Sequence, residues 1–108
     1  MGDRAEWTKE VVGLACLKVG TTNDGRSLAT LGLTLKGGVE RLKFTNVGAV
    51  TIYVGVDTAG ANDLQMKSTS GDASQELEVC GTSAMFKRLK FYVTAAGDGV
   101  MNVVQMGD

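Results

Sequence analysis

Two stretches, RLKFTNVGAVTIYVGV (residues 41–56) and RLKFYVTAAGDGVMNVVQM (residues 88–106), open on the same four letters. In each copy a Leu and a Phe alternate with an Arg and a Lys: Leu42 and Phe44 with Arg41 and Lys43, then Leu89 and Phe91 with Arg88 and Lys90. Successive strand residues point to opposite sides, so a period of two marks a strand with one face on a core. Gly-containing turns and valine-rich runs follow both copies. The pattern predicts two hairpin-like strand–turn–strand units whose Leu and Phe point inward and whose cations point outward.

The same period extends to both sides. Val50, Ile52, Val54 and Val56 alternate with Thr51, Tyr53 and Gly55. Leu77 and Val79 stand against Glu76 and Glu78, and Leu31, Leu33 and Leu35 against Gly32 and Thr34. GVMNVVQM (99–106) is apolar on both faces and reads as a more buried strand, while Leu64 and Met66 suggest a poorer strand at an edge. Gly-, Asn- and Ser-rich segments at 36–38, 46–48, 57–63, 68–72 and 95–99 separate these runs, and Gly and Asn tolerate the positive φ of tight turns. Fifteen glycines and no proline fit an antiparallel arrangement. The expected fold is all-β: a small antiparallel β-sandwich, jelly-roll-like, over residues 28–108.

Residues 1–27 are ambiguous. Asp3 to Glu6 has capping-box spacing, and Trp7, Val11, Leu14 and Leu17 would share one face of a short helix. VVGLACLKV (11–19), with Gly13 and three valines, reads equally as a buried strand. These residues are therefore expected to form an N-terminal arm or short helix plus a loop.

Composition narrows the function classes. Eleven cationic and twelve anionic side chains leave a net charge of −1, against bulk electrostatic binding of nucleic acid. No run approaches the ~20 apolar residues that span a bilayer. MGDRAEWTKE lacks the basic and apolar regions of a signal peptide, so synthesis in a cytoplasm is expected. With no histidine there is no Ser-His or Cys-His nucleophile, and GTSAM (81–85) lacks the second glycine of a nucleophile elbow. No catalytic residue and no enzymatic activity are expected, nor any cofactor or small-molecule substrate. Cys16 and Cys80 read as buried thiols acting as small hydrophobes. Asp57, Asn62 and Asp63 gather oxygen donors in one loop, but turn chemistry accounts for them and no metal is assigned. Arg41, Lys43, Arg88 and Lys90 with Tyr53 and Tyr92 could form a basic aromatic strip for single-stranded nucleic acid if the two RLKF strands were neighbours. The alternative is a solvated surface in which Glu76 and Glu78 sit beside the cations.

Phe44-Thr45-Asn46-Val47-Gly48, Thr51-Ile52-Tyr53-Val54-Gly55, Glu76-Leu77-Glu78 and the run from Phe91 to Val104 resemble a pattern in small β-sandwich virion proteins of tailed bacteriophages. The resemblance covers roughly residues 28–106; Ser70-Gly71-Asp72 stands where the pattern often has a proline. It implies a non-enzymatic structural protein of the virion, a capsid decoration (cement) protein bound to the major capsid protein or another virion protein. A symmetric homo-oligomer, in this setting often a trimer, would multiply weak contacts. The partner-binding residues expected are Trp7, on an arm that orders on binding, and Leu64 and Met66 at a sheet edge. A head–tail or fibre accessory, a receptor-binding β-sandwich and a single-stranded nucleic-acid-binding barrel remain as alternatives.

Overall fold

The computed structural model describes residues 11–19, 25–57, 64–67, 75–93 and 99–107. They form eight strands and one short helix: β1 (Val11–Val19), β2 (Arg26–Ser27), β3 (Val39–Asn46), β4 (Ile52–Val56), β5 (Leu64–Met66), β6 (Glu76–Cys80), α1 (Ser83–Phe86), β7 (Leu89–Tyr92) and β8 (Gly99–Gly107). The strands build two four-stranded sheets, ordered β1-β8-β3-β6 and β2-β7-β4-β5, and every pairing is antiparallel. The pairs β1–β8, β2–β7, β3–β6 and β4–β5 nest inside one another. Only β4 and β5 are consecutive strands within one sheet; every other step passes to the opposite sheet. A long double ribbon rolled in this way is a jelly roll, so the fold is the all-β sandwich that the alternation predicts. No helix of the described residues is long and apolar enough to cross a membrane.

The twin RLKF segments occupy matching places in opposite sheets. The first lies in β3; the second runs from the turn before β7 into it. Neither opens a hairpin, because β4 and β8 each lie in the sheet opposite to the strand before them. Each unit is an arch across the sandwich. The two arches interlock, β3 pairing with β8 and β4 with β7, and so supply the two central strands of both sheets. Leu42, Phe44, Leu89 and Phe91 all point inward and are buried. The rings of Phe44 and Phe91 meet across the layers with centroids 5.2 Å apart and planes tilted by 57°. Ile52, Val54, Met101 and Val103 complete the centre. Each large apolar side chain buried here stabilises the fold by about 1.5–3 kcal/mol. At Gly99 a Cβ would come within 2.8 Å of Ile52 and Val93, so β8 can start this close to the core only without a side chain.

Two buried polar side chains tie the arches to the rest. Asn46, fully buried at the end of β3, donates from Nδ2 to the carbonyls of Val50 (2.8 Å) and Met66 (2.9 Å) and accepts from the Gly48 amide (3.0 Å). Its backbone carbonyl accepts from Gln75 Nε2 at 2.8 Å. The NVG segment was expected to turn through positive φ, yet Asn46 is a strand residue that holds the corner with its side chain. Gln105, on the inner face of β8, donates to Thr34 O (3.1 Å) and accepts from the Lys36 amide (2.8 Å).

Two further sequence expectations change. Residues 11–19 are strand, not helix, and pair along their length with β8, so the sandwich begins well before residue 28. Residues 28–35 are not a strand: amides of Leu31, Gly32 and Leu33 donate to carbonyls of Ser27, Ala29 and Leu28, and Gly32 takes a φ of 100°. The alternating leucines there mark a loop folded over the core, with Leu28 and Leu33 buried. Phe86 belongs to α1, where the Thr82 hydroxyl caps the helix by accepting from the Met85 amide.

In urea unfolding, Phe44→Ala and Phe91→Ala are each expected to cost about 3–5 kcal/mol. The double variant should show a coupling of about 0.5–1.5 kcal/mol, because the rings touch. Losses below ~1 kcal/mol, or strict additivity, would contradict the packing. Asn46→Asp, which turns acceptor oxygens toward the Val50 and Met66 carbonyls, should cost roughly 3 kcal/mol or more by the same measurement. A near-neutral result would refute the hydrogen bonding assigned to this side chain.

Candidate functional site

At one side of the sandwich the strands that end the two sheets among the described residues, β6 above and β5 below, stand apart over an apolar cleft of about 310 Å³. Val54 and Val56 of β4, Leu64 of β5, Leu77 and Val79 of β6, and Met85 and Leu89 line it. Alternation aims these strand side chains toward the core, but β5 has only three residues and β6 five, so neither covers the other. Leu64, paired with Val54 and on the same face, is therefore 66% exposed, and Val56 is 47% exposed. They are two of the four exposed large hydrophobics among the described residues, with Leu14 and Val47. Two ionisable side chains, Glu78 and Cys80, also line the cleft. Its chemistry is that of a socket that can bury an apolar side chain.

The residues predicted as contacts separate. Leu64 is in the cleft. Met66 is 1% exposed and packs inward beside its register partner Ile52. One strand step toward the sandwich centre brings it under the opposite sheet, which a period of two cannot reveal. Trp7 lies outside the described residues, as do Asn62 and Asp63. Val56, Leu77, Val79 and Met85 were not predicted as surface; the one sequence signal for Val56 was its place at the very end of its run.

The basic strip does not assemble. β3 and β7 belong to different sheets, so Arg41 and Lys43 project from one face of the molecule and Lys90 from the other. Arg41 reaches Glu78 and Lys43 reaches Glu76, each at 3.6 Å, as expected of an interleaved solvated face. Arg88 holds Asp57 with two bonds, Nε to Oδ1 at 2.9 Å and Nη2 to Oδ2 at 2.7 Å. Asp57 closes β4 at a φ of 68°, and its amide donates to the Arg88 carbonyl at 2.7 Å. Tyr53 and Tyr92 sit side by side on the outer face of β4 and β7, centroids 6.2 Å apart.

The cysteines are also placed differently from expectation. Both are free and exposed, Cys16 on β1 and Cys80 on β6, at opposite margins of one sheet. Three interstrand spacings of ~4.8 Å separate those strands by about 14 Å, beyond the reach of a disulfide. Comparison of the chain with protein-family models, with curated proteins and with solved structures returns no match.

The side-chain hydrogen bond from Arg88 lowers the Asp57 carboxyl below the ordinary aspartate range, opposed by desolvation and aided by the Arg88 and Lys90 charges. A depressed carboxyl favours the folded chain above its unfolded pKa, and that benefit fades as pH falls through the folded value. Titration followed by NMR should place Asp57 below a free aspartate, and Arg88→Gln should return it to the ordinary range. An unchanged midpoint in the variant would mean that the pair does not persist in solution.

Proposed function

We propose that the protein is a non-enzymatic docking component of a larger assembly, and that the assembly is the head of a tailed bacteriophage, which it decorates and stabilises. The observation that carries the docking role is the cleft: two edge strands frame exposed Leu64 and Val56 over an apolar floor. An apolar side chain of a capsid subunit would enter there and bury the leucine. The virion setting rests on the likeness of the β3–β4, β6 and β7–β8 sequences to phage sandwich proteins.

Other uses of a jelly roll fit less well. This topology serves capsid, lectin and cupin domains alike, so the residues must choose among them. A histidine-ligated metal centre cannot be built from a chain with none. Sugar-binding loops usually stack aromatics, whereas the turn segments here carry none. Single-stranded nucleic acid would need the cations on one face, and they are on two.

The test is cosedimentation of the full chain with assembled phage shells, using the wild type and a Val56→Asp/Leu64→Asp variant. Leu64 is 66% and Val56 47% exposed, so the variant should keep the circular dichroism of the wild type. The wild type should pellet with shells at saturable stoichiometry, and the variant should lose at least about tenfold in affinity, the scale set by ~1.4 kcal/mol of lost burial. A wild type that ignores shells defeats the capsid assignment, and equal binding by the variant defeats the cleft as the contact.

A further inference from the structure

The sandwich has four edge strands, and they are protected unequally. β2 has two residues and β5 three, too short to template another strand. β6 has five and carries Glu76 and Glu78. Brevity and charge are the usual means by which a sheet edge avoids adding a foreign strand. β1 has neither. It runs for nine residues, VVGLACLKV, with Lys18 as its one charge, and among the described residues its one strand partner is β8. Leu14, at its centre, is the most exposed large hydrophobic of the described residues at 75%.

We infer that β1 is a self-association edge: two copies of this chain pair β1 with β1 antiparallel about a two-fold axis, fusing their four-stranded sheets into one of eight. This concerns a different edge from the cleft and does not depend on the capsid reading. An antiparallel strand offers both backbone groups of every second residue to its free side. Two strands of this length can therefore exchange about 6–10 hydrogen bonds, depending on register, within the ~10 ± 5 direct bonds of a stable interface. The pairing is also compatible in charge. In a register centred on residue 15 or 16, Lys18 faces Val12 or Leu14 of the other copy and never its own counterpart, so no like charges oppose. The same registers bring Leu14 and Cys16 of both copies into one outward cluster. Head-to-tail joining of β1 to β6 would use a partner strand of five residues, whose glutamates already reach Lys43 and Arg41.

The experiment combines sedimentation equilibrium with thiol cross-linking on the full chain. The wild type is expected to be a concentration-dependent dimer. Leu14→Lys, which sets lysines beside one another across the two-fold, should raise the dissociation constant by about tenfold or more without altering the melting temperature of the monomer. Opposite or diagonal cross-strand positions lie within about 8 Å, so a short bifunctional maleimide should link Cys80→Ser into covalent dimers through Cys16. Cys16→Ser should not cross-link. A monomer at every concentration would overturn the inference, as would a trimer, a Leu14→Lys variant that associates like the wild type, or cross-linking that needs both cysteines.

Discussion

The contact between Phe44 and Phe91 organises the molecule. Two identical tetrapeptides from distant parts of the chain enter opposite sheets, and their rings close the gap between the layers at 5.2 Å. Because each tetrapeptide leads into an arch rather than a hairpin, one ring contact fixes four strands: β3 and β8 in one sheet, β4 and β7 in the other. Everything else is added to this clasp. β1 and β6 extend one sheet, β2 and β5 the other, and the Asn46 side chain joins the corner of the first arch to β5. The repeated phrase reflects two strands meeting the same demand from opposite sides: an apolar inner face of matching bulk and a charged outer face.

That demand explains what could be read in advance. Which side of a strand is buried follows from neighbouring residues alone, so Leu42, Phe44, Ile52, Val54, Leu89 and Phe91 were assigned correctly from alternation. Which sheet receives the next strand is decided by contacts distant in sequence, and a Gly-containing segment serves an arch as readily as a hairpin. Burial along a strand also depends on how far the opposing sheet extends. Alternation therefore treats Leu64 and Met66 alike, although one is open to solvent and the other sits in the core. The leucines at 31, 33 and 35 misled for a related reason, since a loop lying over a core shows strand-like spacing. Val11–Val19 was undecided because strand and helix preferences balance there, and the balance is tipped by pairing with β8.

The outer surface divides by role. Three of the four RLKF cations, Arg41, Lys43 and Arg88, meet acidic partners on β6 or at the end of β4, as suits solvated sheet faces. Apolar exposure is concentrated at the margins: Leu64 and Val56 beside the β5–β6 gap, and Leu14 on β1. A jelly roll with inert faces and greasy edges is suited to fitting between neighbours, with one margin available to a partner and another to a second copy of itself. The candidate site was legible only in Leu64, because an uncovered margin is a property of where strands stop.

A proton NOE spectrum of the folded chain tests the clasp most directly. Cross-peaks between the Phe44 and Phe91 rings are expected, with backbone contacts linking residue 44 to Leu77 and Val103, and residue 91 to Val54. Cross-strand backbone contacts between residues 41–44 and 88–91 would place both tetrapeptides in one sheet and contradict the architecture.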